Sequence, residues 1–147
     1  MITKTLIKLF TRDLYKLKIE IESYSNERNL WLVEKGITNS AGNLCLHLVG
    51  NLNAFIGAQL GNTNYIRQRD LEFSNKDVPR SELLKMVDDT IAVIENTLGK
   101  LKEQDLEKEY PLLVFKEKTT TEYFLMHLAT HLTYHLGQIN YHRRLLS

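Results

Sequence analysis

Residues 127–142 read HLATHLTYHLGQINYH and hold four of the five histidines in a chain of 147 residues: His127, His131, His135 and His142. The same stretch carries helical periodicity, with Phe124, Leu125, Leu128, Leu132, Leu136 and Ile139 forming one apolar stripe. On an ideal helix each residue advances by about 100°, so with His127 at zero, His131 lies near 40°, His142 near 60° and His135 near 80°. The apolar residues centre near roughly 120° on that wheel. All four imidazoles therefore follow one flank of the buried stripe. This helix is expected to begin at Thr119, where T-x-x-E (Thr119 to Glu122) has the form of a capping box. It ends with Arg143 and Arg144 against the negative end of the helix dipole.

Three further segments share the period, and none alternates in the manner of a strand. Leu6, Phe10, Leu14, Leu17 and Ile21 make one stripe on a first long helix. A shorter helical piece with Leu30, Trp31 and Val33 ends near Gly36. A second long helix starts at Asn39 or Ser40 as cap, carries Leu44, Leu48, Leu52, Phe55 and Ile56, and stops at Gly61. After Pro79, Leu84, Val87, Ile91, Ile94, Leu98 and Leu101 alternate by threes and fours, the seam of near-parallel bundle packing. The expected fold is all-α, a four-helix bundle forming one domain over residues 1–147, with helices near 3–24, 40–61, 80–104 and 120–146. The long connection 62–78 suits a crossover over the bundle end that lets helices 2 and 3 run parallel. It also concentrates Arg67, Arg69, Asp70 and Glu72, which read either as a solvated loop or as groups brought to a site. EYPLLVFKEK, residues 109–118, is expected to form a short extended cover over the core.

Composition excludes several classes. The 19 basic and 18 acidic residues give a net charge of +1 and no basic block, so phosphate-backbone binding has no support and no nucleic-acid partner is expected. The opening MITKTLIKLFTRDLYKL is broken by charge every few residues and reads as neither signal peptide nor membrane span; no membrane partner is expected. A single cysteine, Cys45, precludes an intrachain disulfide and suits a reducing cytoplasm. It falls among apolar residues, where an inert structural role is expected.

An i, i+4 pair sets two imidazoles about 5–6 Å apart on one face, suited to a shared ion. His127/His131 and His131/His135 both qualify. The second pair points closer to the core and is preferred, with His127 in reserve; His142 lies too far along the helix. His47, beside the stripe of the second helix, could complete a three-histidine site, with Asn51 one turn further along its flank. Three protein ligands leave room for water or substrate, the catalytic pattern. The competing readings are a hydrogen-bonded core histidine for His47, and a helix interface for Tyr123, Tyr134 and Tyr141. No H-E-x-x-H or E-x-x-H occurs, which sets aside zinc-peptidase and di-iron carboxylate chemistry. Gln138, one turn from Tyr134 and His135, is a candidate hydrogen-bond partner for a ligating imidazole. Arg67 and Arg69 could draw an anionic substrate if their loop folds over the site.

Taken together, ITNSAGNLCLHLVGNL around His47, YIRQRDLEF in the long loop and HLTYHLGQI around His131 and His135 resemble the DinB-like (damage-inducible) bundle superfamily over nearly the whole chain. The resemblance implies an up-down-down-up bundle, a homodimer, and His47, His131 and His135 as ligands of a divalent metal. It also implies a metal-dependent transferase or hydrolase using Zn²⁺, Ni²⁺ or Fe²⁺. Characterised relatives include thiol-dependent transferases and isomerases, so the small-molecule partners implied are a low-molecular-weight thiol and an electrophile. The alternative is a non-catalytic, dimeric, metal-binding stress-response bundle.

Overall fold

The computed structural model describes all of residues 1–147. Four long helices make the bundle: α1 (Ile2–Glu22), α2 (Ala41–Leu52, continuing through a π-helical stretch Asn53–Ala58 to a last turn Gln59–Gly61), α4 (Arg80–Gly99) and α6 (Thr121–Leu146). Two short helices, α3 (Arg69–Ser74) and α5 (Glu103–Glu107), sit in the connections, and a 3₁₀ turn spans Glu27–Trp31. No strand forms; Glu109 and Thr120 make one isolated antiparallel bridge.

Cross-helix contacts give the topology. Asp13 with Thr133 and Glu20 with Asn140 show α1 and α6 running parallel. Lys18 with Asp88, and Arg80 with the Tyr24 carbonyl, set α1 antiparallel to α4. Asn53 with Thr90, and Gly57 beside Val93, make α2 and α4 parallel. His47 beside His131, and Phe55 beside Phe124, make α2 and α6 antiparallel. The bundle is therefore up-down-down-up, and the crossover over residues 62–78 allows the parallel α2/α4 pair. The α1 stripe is fully buried in one core cluster that also holds Leu48, Leu52, Val87, Ile94, Leu125 and Ile139. Ala41–Gly61 is long and apolar enough to cross a membrane, yet 56% of that window is buried inside the bundle as a core element.

The details depart from the expectations in five places. The π-helical stretch has a physical reason: Leu44, Leu48, Leu52 and Ile56 recur every fourth residue, a step that drifts by about 40° on an α-helix, and one wider turn takes up the drift. Asn53 Nδ2 donates to the Val49 carbonyl at 2.8 Å, and the Tyr110 hydroxyl donates to the Phe55 carbonyl at 2.5 Å, so the altered turn keeps its partners. Phe55 is only half-buried as a result. The third long helix stops at Gly99 rather than near 104, because the Lys100 and Leu101 N–H groups turn back to the Thr97 and Leu98 carbonyls and Asp105 caps a separate α5. Its core residue is Leu83, with Leu84 half-buried. The cap of α6 is Thr120, whose hydroxyl accepts from the Tyr123 N–H at 3.1 Å, one residue later than the T-x-x-E reading placed it. Residues 109–118 do not cover the core as a strip: Tyr110 alone is buried, stacked on Phe124, while Leu112 to Phe115 stay exposed.

Two glycines test this packing. A Cβ at Gly42 would stand 2.7 Å from the Trp31 ring, whereas a Cβ at Gly137 meets nothing within 4 Å. Helix propensity alone favours alanine over glycine by about 1 kcal/mol at either place. Gly137→Ala is therefore expected to raise stability by roughly 0.5–1 kcal/mol and Gly42→Ala to lower it. Urea unfolding checks this; a stabilised Gly42→Ala protein would contradict the Trp31 packing.

Candidate metal centre

His47 lies on α2, and His131 and His135 lie one turn apart on α6. The antiparallel seam brings their rings together. His47 Nε2 is 3.3 Å from His131 Nε2, and His135 Nε2 is 3.1 Å from the same atom. One ligand atom from each of the three residues falls within 4.8 Å of the other two, a group that could hold a metal ion. His47 is buried and the other two are half-buried.

The opposite ring nitrogens determine what the converging atoms carry. His47 Nδ1 donates to Glu72 Oε1 at 3.1 Å, and a carboxylate can only accept. His135 Nδ1 donates to Gln138 Oε1 at 2.7 Å, and Gln138 Nε2 reaches the Tyr134 hydroxyl at 3.4 Å. With the proton on Nδ1 in both, His47 and His135 turn Nε2 lone pairs toward His131. The third ring can meet them only with its proton on Nε2, one N–H facing two lone pairs, and that leaves its buried Nδ1 without any hydrogen-bond partner. Burial, then the neighbouring His135 and His47, push the His131 pKa down to about 4. Burial also lowers that of His47, opposed by its hydrogen bond to Glu72. His47 and His131 thus favour the neutral imidazole, the form that ligates metals.

The spacing fits as well. Nitrogens bound about 2.0–2.1 Å from a tetrahedral cation stand roughly 3.3–3.4 Å apart, close to the two separations from His131 Nε2. An all-imidazole donor set suits Zn²⁺, Ni²⁺ or Fe²⁺.

The long loop does reach this centre, through a residue that sequence reasoning left among the loop charges. Glu72, on α3, is buried against His47 and receives two hydrogen bonds from Arg67, Nε to Oε2 at 2.8 Å and Nη2 to Oε1 at 2.9 Å. Arg67 therefore meets Glu72 with its two shortest contacts, while its Nη2 also stands 3.4 Å from His47 Nδ1. Arg69 points elsewhere, over the Phe73 ring at 5.5 Å, while Phe73 itself packs on His47 with centroids 5.0 Å apart. Asn51 is buried but makes no hydrogen bond to the imidazoles, and its Oδ1 has no partner. His127 stays outside the convergent group, packed edge-on against Phe115 at 4.8 Å. His142 is buried two turns away, where Nε2 donates to the Leu32 carbonyl at 2.9 Å and Nδ1 accepts from the Tyr24 hydroxyl at 2.5 Å. Tyr123, Tyr134 and Tyr141 are exposed. Cys45 is fully buried, and burial pushes its thiol up to about 12.

The depressed imidazoles give a signed pH dependence for metal-free protein. An unfolded histidine takes up its proton near 6.5, while native His131 resists until about 4. The unfolded state therefore binds more protons in that window, and stability falls as pH drops from about 6.5 toward 4. Urea midpoints of chelator-treated protein at pH 7.5 and 5 check this, with His131→Asn expected to show a smaller difference. Equal pH sensitivity in the two proteins would contradict the buried neutral imidazole.

Known proteins share this architecture. A DinB-like protein, YjoA from Bacillus subtilis, has a crystal structure that matches with a TM-score of 0.66 at 20% sequence identity, covering 96% of this chain and 91% of that one. At that identity the likeness establishes the fold alone. No curated protein matches the sequence. The family described as "Protein of unknown function (DUF1572)" matches residues 4–147, and it is a DinB-like family. With a helical bundle of the same kind and a match along nearly its whole length, the chain belongs to the DUF1572 family of DinB-like proteins.

Proposed function

We propose that the protein is a divalent-metal-dependent enzyme in which His47, His131 and His135 hold Zn²⁺, Ni²⁺ or Fe²⁺ and leave at least one position open to a small molecule. The observation that carries the reading is the convergence of three Nε2 atoms, two of them with lone pairs fixed by outer partners, around a ring whose other nitrogen is buried and unpartnered. Three protein ligands are the catalytic pattern rather than the closed structural one. What a divalent ion supplies there is acidity: a thiol or water at the open position ionises at neutral pH.

The remaining chemistry falls to the chain. Glu72 and Gln138 hold the His47 and His135 rings in the ligating tautomer. Phe73 covers one side of His47 and thins the water around it. The protein offers no nucleophile of its own from cysteine, because Cys45 is sealed in the core. The nucleophile in this reading is a small molecule, a low-molecular-weight thiol transferred to an electrophile, with hydrolysis as the related reaction. The resemblance to DinB-like enzymes supports the thiol, and is an analogy of fold. A homodimer in the cytoplasm belongs to the same proposal. The second reading, a dimeric metal-binding bundle without catalysis, draws on Leu113, Val114, Phe115 and Tyr123, exposed apolar side chains that a second copy could cover, with Phe115 packed on Tyr123 and His127.

Substitution separates the ligands from their neighbour. His47→Ala, His131→Ala and His135→Ala are each expected to abolish stoichiometric metal uptake in protein purified without a histidine tag. His142→Ala is expected to keep the metal while losing stability, since it strips the Tyr24 hydroxyl and the Leu32 carbonyl of their partner. Elemental analysis and thermal melts check both; metal lost in His142→Ala but kept in His131→Ala would refute the assignment. Turnover on a panel of thiols and electrophiles, abolished by chelation and restored by re-metallation, is expected of the enzyme. Full metal loading with no turnover across the panel favours the non-catalytic reading.

A further inference from the structure

We propose that Glu72 is the positioning residue of this centre: from outside the four-helix bundle it fixes the tautomer and orientation of His47, so that Nε2 presents its lone pair to the metal. The inference rests on the metal-binding reading above and deepens it.

Four observations converge on the carboxylate. Its side chain is only 7% exposed and lies 3.1 Å from His47 Nδ1. A buried carboxylate is unfavourable unless it is fully partnered, and Arg67, itself 17% exposed, meets both oxygens. The backbone that delivers it is tied to α2: Asn43 Nδ2 donates to the Glu72 carbonyl at 2.9 Å and to the Asn75 carbonyl at 2.8 Å. Asn43 is one turn before His47, so the same helix holds both the imidazole and the strut behind it. The fourth observation lies one turn after His47. Gly50 faces Glu72 so closely that a Cβ there would collide with Oε2. A glycine in mid-helix is otherwise unfavourable, and here it opens the slot through which the carboxylate reaches the ring.

These contacts assign Arg67 a different role from the one its charge alone suggests. Its guanidinium makes its two shortest contacts with Glu72, at 2.8 and 2.9 Å, and Nη2 also lies 3.4 Å from His47 Nδ1, so the pair packs against the imidazole as a unit. Arg67 thereby holds the carboxylate rather than receiving an anionic substrate. The arrangement is a carboxylate–histidine pair of the kind that orients metal ligands and raises their basicity.

Zn²⁺ affinity of tag-free protein, measured by competition with a chromophoric chelator, tests the proposal. Glu72→Ala is expected to weaken Zn²⁺ binding by about 10–100-fold. Glu72→Gln, which keeps an oxygen to accept from Nδ1–H but loses the charge, is expected to fall between it and wild type. Gly50→Ala touches no imidazole and has the better helix former, yet is expected to weaken binding by displacing the carboxylate. A purely structural role would not move the tautomer, which imidazole ¹⁵N shifts of the metal-free protein report. Wild-type His47 is expected with its proton on Nδ1, and Glu72→Ala with a population protonated on Nε2. Wild-type-like Zn²⁺ affinity and an unchanged His47 tautomer in Glu72→Ala and Gly50→Ala would overturn the role of Glu72 while leaving the three-histidine reading standing. Wild-type protein that takes up no Zn²⁺ would overturn both.

Discussion

The antiparallel seam between α2 and α6 sets the height of His47 against His131 and His135, and the centre exists only in that register. A slip of one helical turn, about 5.4 Å, would carry His47 out of reach of both partners. The register is held on either side of the site by apolar contacts that tolerate no such slip: Phe55 against Phe124 beyond it, and the buried Leu44, Leu48 and Leu52 along α2. The wider turn at Asn53–Ala58 belongs to the same constraint, because it keeps Ile56 in the core after the four-residue spacing has begun to drift.

The site works against the stability of the bundle that holds it. Close-packed interiors favour apolar side chains, and an unpartnered buried nitrogen such as His131 Nδ1 is unfavourable by about 1–3 kcal/mol. Three imidazoles, a carboxylate and a guanidinium lie where leucine would serve the fold better. The contrast with His142 is informative. That imidazole is as buried as His47, yet both its nitrogens are satisfied, by Tyr24 and Leu32, and it pins the segment after α1 to α6. One buried histidine is a finished structural part, and three others are left with converging donor atoms.

Much of this was legible in the residues. The stripes on the four long helices, the Ser40 cap and the stop at Gly61 follow from side-chain period and capping chemistry, and they survive because each is a local property. The helical wheel singled out His131 and His135, since both the flank and the i, i+4 spacing are local too. Glu72 was not legible as a site residue. Its helix has six residues and no apolar stripe, and its burial depends on a gap at Gly50 that belongs to another helix. The one available signal was that glycine, out of place in the middle of α2. The cap at Thr120 and the break after Gly99 were missed for a similar reason, being decided by the turns that Lys108 and Asp105 stabilise from outside the helices concerned.

X-ray absorption at the metal edge of protein purified without a tag tests the central claim most directly. The account predicts a divalent ion with three imidazole nitrogens at about 2.0–2.1 Å in the case of zinc, and at least one further light atom that exchanges with added thiol or azide. An ion without imidazole scattering, or one closed by a fourth protein ligand and inert to both additions, would contradict it.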